Sequence, residues 1–207
     1  MLTRVEVHRG DPAFRSPAKP IGPVYDKEQV DLLARQRHWH LARDGTGWRR
    51  VVASPEPVRT LELPAIRLLL GAGAVVICSG GGGIPVALGA NDTWCGVESV
   101  IDKDLASALL ARELGADALL LLTDVEAAYH GWGTPAAVPI GRISPEDLRR
   151  VRFPAGSMGP KVEAACRFVE AGGMLAAIGR MEQAEALLQG RCGTAVRAGP
   201  HLQPIAR

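Results

Sequence analysis

The chain has 207 residues, 47% of them hydrophobic and 22% charged, enough to bury a substantial core in one large domain or two small ones. Its 24 basic and 22 acidic residues leave a formal charge of +2, so no global excess calls for a nucleic-acid or membrane partner. The 24 glycines and 15 prolines beside only 4% aromatics point to tight turns and Gly-rich loops. They argue against an all-β sandwich built on aromatic pairs.

The first element in chain order is a short strand at Val5 and Val7, followed by a Pro-rich, lysine-bearing loop from Asp11 to Pro23. Lys27 to Arg37 has the pattern of a short amphipathic helix, and Trp48 to Val52 that of a strand leaving a turn at Asp44-Gly45. Pro64 to Leu70 predicts a helix closed by Gly71 and Gly73, and Ala74 to Cys78 a buried central parallel strand. No charge occurs from Leu68 to Ala90, a length that could span a bilayer. The glycines at 80–83 and Pro85 would break such a helix in its middle, and Met1 to Gly10 carries no apolar signal-peptide core. These features give a soluble, cytoplasmic reading.

Asp102 caps a helix running to Glu113 and closed by Gly115, and Ala118 to Leu122 is the next buried strand, ending at Thr123-Asp124. Ser144-Pro145-Glu146-Asp147 is a capping signature. Lys161 to Ala171 forms a helix stopped by Gly172-Gly173. Met174 to Ile178 is a strand, Gln183 to Leu188 lies in a last helix, and the tail from Gly199 is loose. This alternation predicts an α/β fold, an αβα sandwich with a mostly parallel sheet. Cys78 and Cys166 fall inside apolar patterns as buried thiols. The four cysteines and five histidines show no metal-ligand spacing.

In open α/β sheets ligands bind beyond the carboxyl ends of the strands. Ser79 and the four glycines that follow Cys78 form a loop suited either to backbone contact with an anion or to a plain flexible turn. The basic residues are 20 arginines and only four lysines, at positions 19, 27, 103 and 161. Lys103 and Lys161 stand at helix starts, where the helix dipole disfavours a cation; this points to a local anionic partner, with a solvated surface charge beside two acids as the alternative for Lys103. Lys27 reads as ordinary helix surface. Such a set serves phosphoryl transfer, which needs cations and aligned N–H groups more than covalent chemistry. Asp104 or Asp102 would orient the lysines or hold a magnesium ion through water. Arg35, Arg37, Arg43, Arg49 and Arg50, interleaved with Trp39 and Trp48, are also a combination found on nucleic-acid-binding surfaces.

Eight blocks resemble carbamate kinase in that family's order, from Val5 to Thr194. They are Asp11-Pro12-Ala13-Phe14, Lys19 to Pro23, Arg49 to Val52, Gly80 to Pro85, Gly96-Val97-Glu98, Val100 to Ser107, Leu122 to Val125, and Ala155 to Ala164. The resemblance implies the amino-acid-kinase fold, a single domain over residues 1–198 with a protruding lid over about 11–52. It implies reversible transfer between ATP and carbamate, as in arginine-fermenting metabolism, with Mg2+ accompanying the ATP or ADP. By motif, Lys19 would reach the reacting phosphate from the lid. Lys103 and Lys161 would contact the nucleotide phosphates with Asp104 organising them. Thr123, Asp124, Tyr129, Ala155, Gly156, Ser157, Met158 and Gly159 would line the nucleotide site. Gly80, Gly81 and Gly82 would face carbamate or the transferred phosphoryl group.

The resemblance also implies a cytoplasmic homodimer, with no nucleic acid or membrane as partner. Carbamate kinases carry an N-terminal segment of roughly 100 further residues, about one small domain's worth. That segment includes a Gly-Gly-Asn loop that binds the transferred phosphate. Without it the sheet would expose apolar surface and tend to associate. The alternative to an active kinase is therefore a truncated or degenerate fragment that binds nucleotide or a partner subunit.

Overall fold

The structure is a computed structural model that describes residues 1–153 and 158–199. Its first half contains β1 (Arg4–Val7), β2 (Lys19–Tyr25), α1 (Lys27–Arg37), β3 (Leu41–Asp44), β4 (Gly47–Val52), β5 (Pro57–Thr60), α2 (Leu63–Gly71), β6 (Ile84–Leu88) and β7 (Trp94–Gly96). There follow α3 (Lys103–Leu114), β8 (Ala118–Thr123), β9 (Tyr129–His130), β10 (Val138–Pro139), β11 (Arg142–Ile143), α4 (Pro145–Arg150), α5 (Met158–Glu170), β12 (Leu175–Arg180), α6 (Ala184–Leu188) and β13 (Thr194–Val196).

The larger core sheet has the order β11-β13-β12-β8. Its centre is the parallel pairing of β8 with β12, in register from Leu175 opposite Ala118 to Arg180 opposite Thr123. Alternate residues of these strands enter different cores. Leu119, Leu121, Ala176 and Ile178 face α3, α4 and α5. Ala118, Leu120, Leu175 and Ala177 share a second cluster with Leu187 of α6. Both faces are covered, which explains why these strands are apolar up to their last residues, Thr123 and Arg180. This is the αβα layering expected from the sequence.

A second core sheet has the order β5-β1-β6-β7, with β1 parallel to β6 and antiparallel to β5. Val5 and Val7 point inward and pack with Ala87, Ile101 and Ala106, so α3 carries contacts to both sheets. The strand at β6 was not anticipated from Pro85. It forms because β1 offers a parallel partner, and Ile84 N–H donates to Thr3 C=O at 2.8 Å where the pairing begins.

Residues 19–52 form a separate small sheet, β2-β4-β3, all antiparallel, flanked by α1. The predicted loop from Asp11 to Pro23 is corrected here, since β2 begins at Lys19. Pro20 and Pro23 are tolerated because β2 is an edge strand, where a missing N–H breaks no interior ladder. The helix expected over Lys27 to Arg37 has those bounds. Asp26 and Gln29 form its capping box, each side chain accepting from the other's backbone N–H.

The strand predicted over Ala74 to Cys78 is absent: the segment has no regular structure, and Val75 and Ile77 are 95% and 83% exposed. Both edges of β1 are already taken by β5 and β6, and the segment pairs with none of the described strands, so it lacks the ladder hydrogen bonds that would make it a strand. Cys78 is accordingly half-buried instead of a core thiol. Cys166 is fully buried on α5, and burial pushes its thiol up to about 11. Among the described residues no helix is long and apolar enough to cross a membrane.

Candidate active site

The site is built on the start of α3. Asp102 is its N-cap, in extended conformation, and its Oδ1 accepts from the N–H of Asp104 at 2.9 Å and of Leu105 at 3.3 Å. This satisfies two of the donors that a helix start leaves open. The cap fixes Asp104 in the first turn, where it is buried against α5. From the first turn of α5, Lys161 donates to both carboxylate oxygens of Asp104, at 2.9 and 3.0 Å. Both residues are only 7% exposed, so each charge depends on the other in place of water. The cation that the helix dipole disfavours is held there by an anion on the neighbouring helix.

Lys103 is different. Its side chain is 62% exposed and its Nζ lies 4.0 Å from Asp104 Oδ2, which leaves most of its donors free. The third ammonium comes from the small sheet, where Lys19, the first residue of β2, donates to Asp102 Oδ2. Burial alone would raise Asp102. The bond and charge of Lys19, with the two backbone N–H donors, outweigh it and hold the carboxyl below its ordinary value.

Lys19, Lys103, Asp104 and Lys161 all line one cavity of about 510 Å³. Its wall continues through Thr123 and Asp124, at the carboxyl end of β8, and through Tyr129 and Met158. The Tyr129 loop is anchored from below. Thr194, fully buried, accepts from Ala128 N–H and donates to Ile140 C=O. Tyr129 and Trp132 stand with ring centroids 5.1 Å apart and planes tilted by 55°. Trp132 and Phe153 also line the cavity and were not singled out from the sequence. The available signal was a tryptophan between two glycines (Gly131, Gly133) in a chain poor in aromatics.

Gly159 lies elsewhere, on a cleft of about 590 Å³ between the small sheet and the core. Ala155, Gly156 and Ser157 lie outside the described residues. Gly80 and Gly81 line a neighbouring hollow of about 350 Å³, together with Ser79 and Ser99, whose buried hydroxyls have no hydrogen-bond partner among the described residues. Gly82 has a packing reason to be glycine. Its φ is +130°, and a Cβ would come within 2.3 Å of Ile101 C=O. The loop is thus pressed against the residue just before Asp102, and hollow and cavity lie on successive residues of the α3 start.

The arginine–tryptophan surface is occupied by itself. Arg50 lies 4.6 Å over Trp39 and Arg43 5.8 Å over Trp48, while Arg49 is bonded to Asp44 and Arg50 to Glu98. These ring faces are covered by the chain's own guanidinium groups. Among the described residues no three His, Cys, Asp or Glu side chains cluster as metal ligands. Asp102 and Asp104 are already engaged by ammonium groups. The donor set does not build a divalent-metal site of its own, although it leaves room for an ion that arrives on a polyphosphate.

The amino acid kinase family model matches residues 22–180. The chain is 53% identical over 198 residues to the carbamate kinase of Rhizobium meliloti (strain 1021), covering 95% of this chain and 61% of that protein. It is 46% identical to the carbamate kinase of Haemophilus influenzae, covering 95% and 63%. The solved carbamate kinase from Giardia lamblia bound to AMP-PNP superposes with a TM-score of 0.82 at 39% identity, covering 95% of this chain and 64% of that one. The chain therefore spans somewhat less than two thirds of the length of these relatives.

Proposed function

Because the chain belongs to the amino acid kinase family, we propose that its cavity carries out reversible phosphoryl transfer between ATP and carbamate, giving ADP and carbamoyl phosphate. The observation that carries this reading is the convergence of three ammonium groups, from β2, α3 and α5, on one cavity. Two carboxylates hold two of them in fixed positions. The curated relatives bear the same activity in their names, and the AMP-PNP complex of the Giardia lamblia enzyme favours an adenine nucleotide as the ligand.

In the ATP-forming direction an oxygen of the ADP β-phosphate attacks the phosphorus of carbamoyl phosphate. A new P–O bond forms, the P–O bond to the carbamoyl group breaks, and its electron pair leaves with carbamate. The reaction gathers negative charge on phosphate oxygens, so its main requirement is preorganised positive charge. Lys103 supplies a largely free ammonium to the nucleotide phosphates. Lys161, held in place by its two hydrogen bonds to Asp104, supplies a fixed one, and Lys19 delivers a third from the lid onto the group in flight. Tyr129 and Trp132 offer a tilted aromatic edge to the base, and Thr123, Asp124 and Met158 complete the nucleotide wall. Mg2+ bound to the nucleotide would be held by the phosphates and would neutralise part of their charge.

We assign Gly80, Gly81 and Gly82 to carbamate or the transferred phosphoryl group. The buried hydroxyls of Ser79 and Ser99, which face the same hollow and have no hydrogen-bond partner among the described residues, add two donors for an oxyanion beside that loop. The domain reading is one unit over 1–198 with the lid at about 11–52, and a cytoplasmic homodimer is the corresponding assembly.

The test is ATP formation from Mg-ADP and carbamoyl phosphate, followed by a coupled luminescence assay. Lys103→Ala is the informative variant, since its exposed side chain can be removed without loosening the fold. It should lower kcat/KM by about 100-fold, the usual cost of one transition-state charge contact. ATP formation unchanged by Lys103→Ala would sink the site assignment. Absence of both turnover and calorimetric ADP binding would sink the function.

A further inference from the structure

Asp102 divides its carboxylate between two tasks. Oδ1 caps α3, and Oδ2 accepts from the Lys19 ammonium of the small sheet. Lys19 and Asp102 line both the 510 Å³ cavity and the 590 Å³ cleft, so their ion pair forms part of the partition between the two spaces.

Other described contacts across this boundary are weaker anchors. Arg50 pairs with Glu98, whose side chain is 84% exposed, and an ion pair in that setting holds little. Val100 N–H donates to Ala53 C=O at 3.0 Å just beyond β4. The Lys19–Asp102 pair has the more buried acid of the two ion pairs, at 8% exposure.

We propose that Asp102 is a positioning residue that seats the lid: by holding Lys19 it aims that ammonium into the cavity and keeps the small sheet closed over it. Because Oδ1 of the same carboxylate fixes α3, lid and phosphate-binding helix share one reference point, and a shift of the α3 start moves the lid cation with it. The consequence for catalysis rests on the phosphoryl-transfer reading. The geometric claim does not, and it can be tested on the ligand-free chain.

The chain has four lysines, and an amine-reactive acylating reagent reads each one separately by peptide mass spectrometry. In the parent protein Lys19 should label at least about tenfold more slowly than Lys27, the factor that corresponds to one charge-assisted hydrogen bond. Asp102→Asn keeps a side-chain carbonyl oxygen to cap α3 and removes the charge that holds Lys19. In that variant Lys19 should label at a rate close to that of Lys27, and the Val100 amide, bonded across the same boundary, should exchange hydrogen faster. Lys161 should stay protected by Asp104.

Equal labelling of Lys19 and Lys27 in the parent overturns the proposal without any variant. So does an unchanged Lys19 rate in Asp102→Asn. A parallel rise at Lys161 would reduce Asp102 to a helix cap whose loss loosens the whole site, and would also overturn it. None of these outcomes depends on turnover, so a chain that makes no ATP can still pass or fail.

Discussion

Lys161 and Asp104 are a buried pair with two hydrogen bonds and almost no access to water. Removing one partner strands the other charge, which costs more than the pair itself contributes. Lys161→Ala should destabilise the fold by about 3 kcal/mol, the low end for a broken buried pair because Lys103 stands 4.0 Å from the same carboxylate. Urea denaturation measures it as a lower midpoint with an unchanged slope. Replacing both partners, Lys161→Met with Asp104→Leu, should recover most of that loss, since no stranded charge remains. Lys103→Ala should cost little stability and should act on turnover alone. Two lysines that look equivalent in sequence, each at a helix start, thus separate into a structural and a free ammonium. Only the burial of one and the exposure of the other tells them apart.

At the scale of elements, the start of α3 depends on the loop before β6. Gly82 presses against Ile101 with a backbone conformation that L side chains rarely adopt. Gly82→Ala should destabilise the chain by roughly 1–3 kcal/mol, the cost of forcing a residue into such a conformation, with the close approach to Ile101 C=O added. The same substitution should weaken ADP binding in calorimetry, because it displaces Asp102 and the helix that carries Lys103 and Asp104. Intact binding with normal stability would show that the loop can relax independently of α3.

Much at this scale was legible in the sequence. The caps at Asp102 and Ser144, the Gly115 stop, and the buried run of β8 are local signals that the fold keeps. The misread elements were those whose state depends on a neighbour. A Pro-rich stretch became β2 because β4 lies beside it, and the apolar run over 74–78 has no described partner and stays irregular.

At the scale of the molecule, apolar side chains over residues 68–77 remain in contact with solvent, with Leu68 at 75% and Val75 and Ile77 higher still. Exposed apolar patches of this kind drive association. The isolated chain should bind a hydrophobic dye and scatter light increasingly with concentration, and Val75→Lys with Ile77→Lys should reduce both. A parent chain that stays dispersed and dye-free at high concentration would contradict this. The patch lies on the α2-to-β6 connection, away from the Lys161 cavity, so the double variant should leave ADP affinity unchanged.

The sequence alone determined the alternation of strands and helices, the caps that begin the helices, and the four lysines from which three site cations are drawn. These are set by local periodicity and short-range hydrogen bonding, which neighbours along the chain suffice to express. The tertiary structure decided which lysine is buried and which is free, that Asp102 reaches across to Lys19, and that Trp132 faces the cavity. It also decided that the glycine run packs against the α3 start. Each of these is fixed by groups that are distant in sequence. Their charges and surfaces meet only after the helices have packed and water has been excluded between them.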